Sequence, residues 1–131
     1  CVSSFVIASA QARADLDAGL VADYGEALMH DGWWRAAAHS GVMELENHSW
    51  DHNHPLVQRT AQRDNRRGSF HDITTEAEAE AEISAASAEI ERVVGRRPRY
   101  FAYPFGDMPD FLRADWLPRC GPQIGLEAAF S

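Results

Sequence analysis

His48-Ser49-Trp50-Asp51-His52 places two imidazoles four residues apart. On a helical turn that spacing sends both rings from one face toward a common point. Each neutral ring offers one nitrogen lone pair, which suits a zinc ion held at about 2.0–2.1 Å. Two solvated histidines on a surface helix give the same spacing, so context decides. The pair follows Gly41-Val42-Met43-Glu44-Leu45-Glu46, an apolar run that reads as a short strand. The histidines therefore fall just past a strand's C-terminal end, where α/β sheets and barrels assemble active sites. His54 adds a third imidazole beside Asp51 and His52. Its i+2 offset puts it on another face of a helical turn, beside the ligands or in solvent. His30, His39 and His71 lack neighbours in a metal-binding pattern, and only His71, on a long loop, is kept as a candidate substrate contact.

The second segment that carries chemistry is Arg97-Pro98-Arg99-Tyr100-Phe101-Ala102-Tyr103-Pro104-Phe105-Gly106. Tyr100 and Phe101 read as a buried aromatic strand. Tyr103, Pro104 and Phe105 stand at its end, where groove-lining and substrate contact are expected. Proline fixes φ there and glycine permits a tight turn with close backbone approach.

Glu46-Asn47-His48-Ser49-Trp50-Asp51-His52 and Phe101-Ala102-Tyr103-Pro104-Phe105-Gly106, in that order, resemble the second and third motifs of the polysaccharide deacetylases, carbohydrate esterase family 4, the NodB-like domain. Ser4-Phe5-Val6-Ile7-Ala8-Ser9 resembles that family's second strand. The resemblance implies an α/β fold, part of a distorted (β/α) barrel incomplete at both ends. Residues 1–131 would form a single partial catalytic domain. The first strand, with the family's paired aspartates, would precede Cys1, and the late histidine that serves as acid would follow Ser131. Asp115-Trp116 mimics a later motif but comes too soon after Gly106.

By the same resemblance His48 and His52 are ligands of a divalent metal, zinc or cobalt. Ser49 braces the loop by hydrogen bonding. Apart from the resemblance, the tight clustering of Asp51, His52 and His54 makes His54 a further metal-ligand possibility, and its offset ranks it, with Asp51, around the ligands instead. The backbone N–H of Phe105 is the oxyanion donor. The substrate class is an N-acetylated glycan of the chitin, peptidoglycan or poly-N-acetylglucosamine type, and family enzymes are commonly exported. The aspartate ligand and aspartate base have no counterpart in the sequence. Ala102 stands where the commonest form of the third motif, R-P-P-Y-G, has arginine, and Tyr103 where it has the first proline, which leaves the orientation of the base open. Two other readings stay in view: a non-catalytic relative that binds glycan or metal, and a structural domain with a coincidental histidine pair.

The elements that must position these residues are legible to different degrees. With 131 residues and 45% apolar content, the chain is long enough for one domain with a substantial core. A net charge of −8 argues against a nucleic-acid surface, and the one basic cluster, Arg59 to Arg67, reads as a solvated loop. No apolar run approaches the roughly 20 residues that span a bilayer. Cys1 and Cys120 define no disulfide framework. Strand-like and helical segments alternate, which predicts a parallel sheet.

Gln11 to Glu26 is expected to be irregular or partly helical, because Gly19 and Gly25 interrupt it. Asp31 is expected to cap a short helix through Trp33, Trp34, Ala37 and Ala38 that stops at Gly41. Residues 53–73 form a long polar loop, either a lid over the site or a plain insertion. Thr75 to Val94 is the clearest helix. It opens with the capping box Thr75-Glu76-Ala77-Glu78, carries the stripe Ile83, Ala86, Ile90 and Val94, and stops at Gly95. Gly125 to Ser131 reads as a last strand.

Overall fold

A computed structural model describes residues 1–61 and 69–131. Four short strands, β1 (Val2–Val6), β2 (Met43–Asn47), β3 (Tyr100–Ala102) and β4 (Ala128–Phe130), form one all-parallel sheet in the order β1-β2-β3-β4. Parallel neighbours cannot be joined by tight turns, so the chain crosses over through helices. Between β1 and β2 lie α1 (Ala10–Tyr24) and α2 (Trp34–His39). Between β2 and β3 come α3 (Gln58–Ala61), then α4 (Glu76–Ala79), a π-helical turn (Glu80–Ser84) and α5 (Ala85–Val94) in continuous succession. Between β3 and β4 lies α6 (Leu117–Cys120). The alternation is that of an α/β protein.

Strand register fixes where the chemistry gathers. Val6 pairs with Asn47, and Asn47 with Phe101. The segments that leave β1, β2 and β3 therefore emerge side by side at the sheet's C-terminal end. The buried Glu46 carboxylate fastens the start of β3, accepting the backbone N–H groups of Arg99 and Tyr100 at 2.7 and 2.9 Å. The sheet is also bent. Phe5 of β1 and Phe130 of β4 meet edge to face with centroids 6.2 Å apart. Three strand spacings of about 4.8 Å separate those strands in a flat sheet. Among the described residues the sheet is open, with β1 and β4 at its edges.

The long helix divides its burial between two clusters. Ala79 and Ile83 pack with Phe70, Phe101, Leu112 and Trp116. Ala86, Ile90 and Val94 pack with Val6, Leu45, Trp34 and Ala38. The predicted stripe Ile83, Ala86, Ile90, Val94 is buried throughout. The Thr75 capping box forms, and Gly95 ends the helix at φ +83°. What periodicity did not foretell is the π-turn in its middle.

Three expectations are corrected. Gln11 to Glu26 is an unbroken helix from Ala10 to Tyr24, capped by the Ser9 side chain and ended by left-handed Gly25. Its pattern is weak because a charged residue does core work. Arg13, 6% exposed, donates to the Ile7 and Ala8 carbonyls, pairs with Asp31 at 2.6 Å and stacks over Trp34. That pairing removes Asp31 from its expected role. No side chain caps α2; the Asp31 backbone carbonyl accepts the Trp34 N–H instead. Within the expected loop 53–73, α3 and a 3₁₀ turn, Phe70–Asp72, are ordered elements. Residues 62–68, and with them most of the basic cluster, lie outside the described residues. Among the described residues no helix is long and apolar enough to cross a membrane.

Candidate metal centre and active site

His48 to His52 does not form a helical turn, so the reason for expecting the two rings together was wrong although the rings do meet. Ser49, His52 and Asn53 all have positive φ, at 71°, 65° and 45°. Left-handed backbone is uncommon outside glycine and persists only where the surroundings over-determine it. Here they do. Each backbone N–H from His48 to Asn53 has a partner. His48 donates to the Val6 carbonyl at 3.0 Å and Trp50 to the Glu82 carbonyl at 2.8 Å. Ser49 donates to Asn47 Oδ1 and Asp51 to Glu82 Oε2, at 2.7 and 3.3 Å. His52 donates to Ser49 Oγ and Asn53 to Asp51 Oδ1, at 2.8 and 2.9 Å. The Ser49 and Trp50 carbonyls accept the Ala8 and Ser9 N–H groups. The Ser49 hydroxyl thus ties the two ends of the loop together.

The wound loop brings the His48 and His52 rings to a centroid distance of 4.8 Å. His48 Nδ1 lies 2.9 Å from the Ala102 carbonyl. A carbonyl only accepts, so Nδ1 carries the proton and Nε2 keeps the lone pair. His52 Nδ1 is buried with no hydrogen-bond partner. Burial, with added repulsion from His48 and His54, lowers His52 to about 4. Burial also lowers His48, against the opposing pull of the Ala102 contact, and lowers His54. The two facing rings are therefore neutral at neutral pH. Neutral imidazoles, one oriented through a backbone carbonyl and one with an unsatisfied buried nitrogen, fit two positions of a metal site. Among the described residues no group of three His, Cys, Asp or Glu side chains comes together to complete it.

Phe105 stands against this pair. It lies in the 3₁₀ turn Pro104–Gly106 with φ +57° and is 60% exposed. Its ring meets His52 edge-on at 4.5 Å and His54 at 5.5 Å. His54 is thus nearer the pair than a helical turn would have put it: its ring is 5.8 Å from that of His52, and its Nδ1 accepts the Leu56 N–H. A cleft of about 460 Å³ opens over His48, His52, His54 and Phe105, with Leu16, Leu20, Leu28, Met29 and Trp33 forming an apolar wall.

Tyr103 and Pro104 do not line this cleft. Tyr103 is 5% exposed and packs on Phe101 in the core, and Pro104 is buried. Strand alternation turns Tyr103 to the same side as Phe101, and the chain turns outward only at Phe105. His71, the candidate substrate contact, is exposed and lies 3.5 Å from Asp107, which accepts from the Ser69 hydroxyl and the Phe70 N–H as well.

Sequence reasoning missed the residues that hold the site: Asn47, Glu82 and the Ala102 carbonyl. Asn47 carried a signal, a polar residue ending an apolar strand directly before the first histidine. The others could not be seen without the fold.

Comparison with curated proteins gives no match, and comparison with solved structures gives none. A family model described as polysaccharide deacetylase matches residues 5–116. That span contains the end of β1, both histidines, the whole of the long helix and the turn at Phe105, so the chain belongs to the polysaccharide deacetylase family.

Proposed function

We propose that this chain supplies the histidine half of a metal-dependent hydrolase that removes N-acetyl groups from a glycan of the chitin, peptidoglycan or poly-N-acetylglucosamine type. The observation that carries this reading is the pair of half-buried imidazoles at the sheet's C-terminal end, facing one another beside Phe105. The bent sheet is, in the same reading, an arc of the family's distorted barrel.

A divalent ion such as zinc or cobalt, when held by His48 and His52, supplies Lewis-acid polarisation of the amide carbonyl and acidifies water. The chain's own residues do the rest. His48, anchored on Ala102, presents one ring nitrogen in a fixed direction, and Ser49 holds the backbone of His52. The Phe105 N–H is the donor assigned to the oxyanion that forms when the amide carbonyl is attacked. Its exposed ring is the substrate-facing surface beside the ligands. Asp51 and His54 surround the pair, Asp51 through the turn that it makes with Asn53.

Metal analysis after dialysis against zinc or cobalt tests the ligands. His48→Ala or His52→Ala should remove most of the bound metal, and His39→Ala should not. Equal metal content in the native chain and the double variant would sink the assignment. The 131 residues alone are expected to release negligible acetate from a β-linked N-acetylglucosamine oligomer, since no described carboxylate joins the two histidines. Extended by a family-type first strand with its paired aspartates, the chain should release acetate, lose that activity to a chelator and regain it with zinc or cobalt.

The lack of such a carboxylate also favours a second reading, a non-catalytic relative that binds glycan or metal through the retained motifs. Glycan binding by the extended chain without acetate release would select it.

A further inference from the structure

A mid-helix carbonyl ordinarily accepts from the N–H four residues on and has little left for its surroundings. Between α4 and α5 that ladder opens to a π-turn, with the Ala85 N–H reaching back to the Glu80 carbonyl. Two carbonyls of this turn serve the histidine loop. Glu82 O accepts the Trp50 N–H at 2.8 Å, and Ile83 O accepts Asn47 Nδ2 at 2.9 Å. The same Asn47 amide also donates to Ser87 Oγ at 2.8 Å, one turn further along the helix. Its oxygen accepts the Ser49 N–H at 2.7 Å. Asn47 is fully buried and Ser87 nearly so, which leaves bulk water no access to replace these bonds.

We propose that Asn47 and the π-turn Glu80–Ser84 are the positioning machinery of the histidine site. The extra residue in the turn frees backbone acceptors toward the loop. Asn47 spans the gap between helix and loop, holding the left-handed conformation at Ser49. The consequence for metal affinity rests on reading His48 and His52 as ligands; the placement of the rings does not, and it belongs to the metal-free chain. π-turns inside α-helices recur at functional sites because they redirect backbone groups that a regular helix would consume.

The test uses the 131-residue chain with cobalt chloride as the metal probe. Asn47→Ala removes the bridge, Ser87→Ala removes one of its anchors, and deletion of Ala81 restores a regular helix. Ile90→Val trims the core on the same helix without touching the clamp and controls for lost stability. Two readouts need no metal: the nuclear Overhauser effect between the His48 and His52 rings, and hydrogen exchange at the Trp50 amide. Asn47→Ala and the deletion should abolish the ring-to-ring effect and raise Trp50 exchange about tenfold or more over the amides of β2. Cobalt affinity should fall about tenfold or more, the usual effect of losing a partner that orients a ligand. Ser87→Ala should do the same to a smaller extent, and Ile90→Val should match the native chain in all three. If Asn47→Ala folds with the ring-to-ring effect, the exchange rate and the cobalt affinity all native, the proposal is overturned. A folded Ala81 deletion with its rings still together would overturn the part assigned to the π-turn. Should the deletion not fold, Asn47→Ala and Ser87→Ala decide. Absence of cobalt binding by the native chain, with the two rings moved apart in Asn47→Ala, would sink the metal reading and leave the positioning role standing.

Discussion

At Phe105, backbone conformation and proposed chemistry meet in one residue. Its φ of +57° is a conformation that a bulky side chain adopts only under constraint. Proline there would delete the N–H assigned to the oxyanion, but it also fixes φ near −65° and would rebuild the turn. Glycine is the cleaner substitution, because it accepts positive φ without steric cost and keeps the N–H. In the strand-extended chain, Phe105→Gly should keep kcat within about tenfold of native while raising KM through loss of the exposed ring, a split that steady-state kinetics on an N-acetylglucosamine oligomer would show. A kcat collapse with KM unchanged would mean that the ring and not the backbone does the chemistry. In the sequence His48 and His52 stood out by type and spacing, and Phe105 by the resemblance of its segment to the family's third motif. Their geometry was not legible there. Three left-handed residues replace the helical turn that the spacing implied, and side-chain acceptors at positions 47, 49 and 51 make that possible.

The helix from Glu76 to Val94 was the element most fully written in local sequence, because its signals act within one turn: a capping box, acidic first residues, an apolar stripe and a stop. Thr75→Ala should lower stability by about 1 kcal/mol through loss of the cap, read as a shifted denaturant midpoint. Gly95→Ala should cost about 1–2 kcal/mol by conformational strain, because nothing lies within 4 Å of the added methyl and only φ +83° opposes it. By contrast α1 was obscured, as Arg13 earns its burial through carbonyls and Asp31 that are remote in sequence. Glu44 in β2 offers a test by pH. Hydrogen bonds from Arg99 and Arg96 hold its pKa below the ordinary glutamate value. Its stabilising contribution is complete above the unfolded value, near pH 4, and is lost as pH falls through the lower folded one. Glu44→Gln should therefore be less stable than native at pH 7, with the difference shrinking toward pH 2 and in high salt. A difference independent of pH would point to packing instead of charge.

For the whole molecule, the parallel direction of the sheet followed from the alternation of segments, whereas its strand order and its bend did not, since both depend on contacts between segments remote in sequence. Phe101 lies at the centre of this assembly, fully buried in the cluster with Phe70, Ile83, Leu112 and Trp116 and paired with both neighbouring strands. Phe101→Ala should cost about 3–5 kcal/mol by chemical denaturation, a large share of the roughly 5–15 kcal/mol that holds a domain together. Loss of metal binding in that variant would report unfolding and say nothing of the ligands. The contact between Phe5 and Phe130 bears on how such a molecule fails when its edges are exposed. A flat sheet recruits further copies indefinitely and grows into a cross-β fibre. A sheet bent far enough for its outermost rings to touch passes that bend to any strand laid against it. Growth from either edge then turns back toward its own beginning, so that the natural end of self-association is a small closed ring and not a filament.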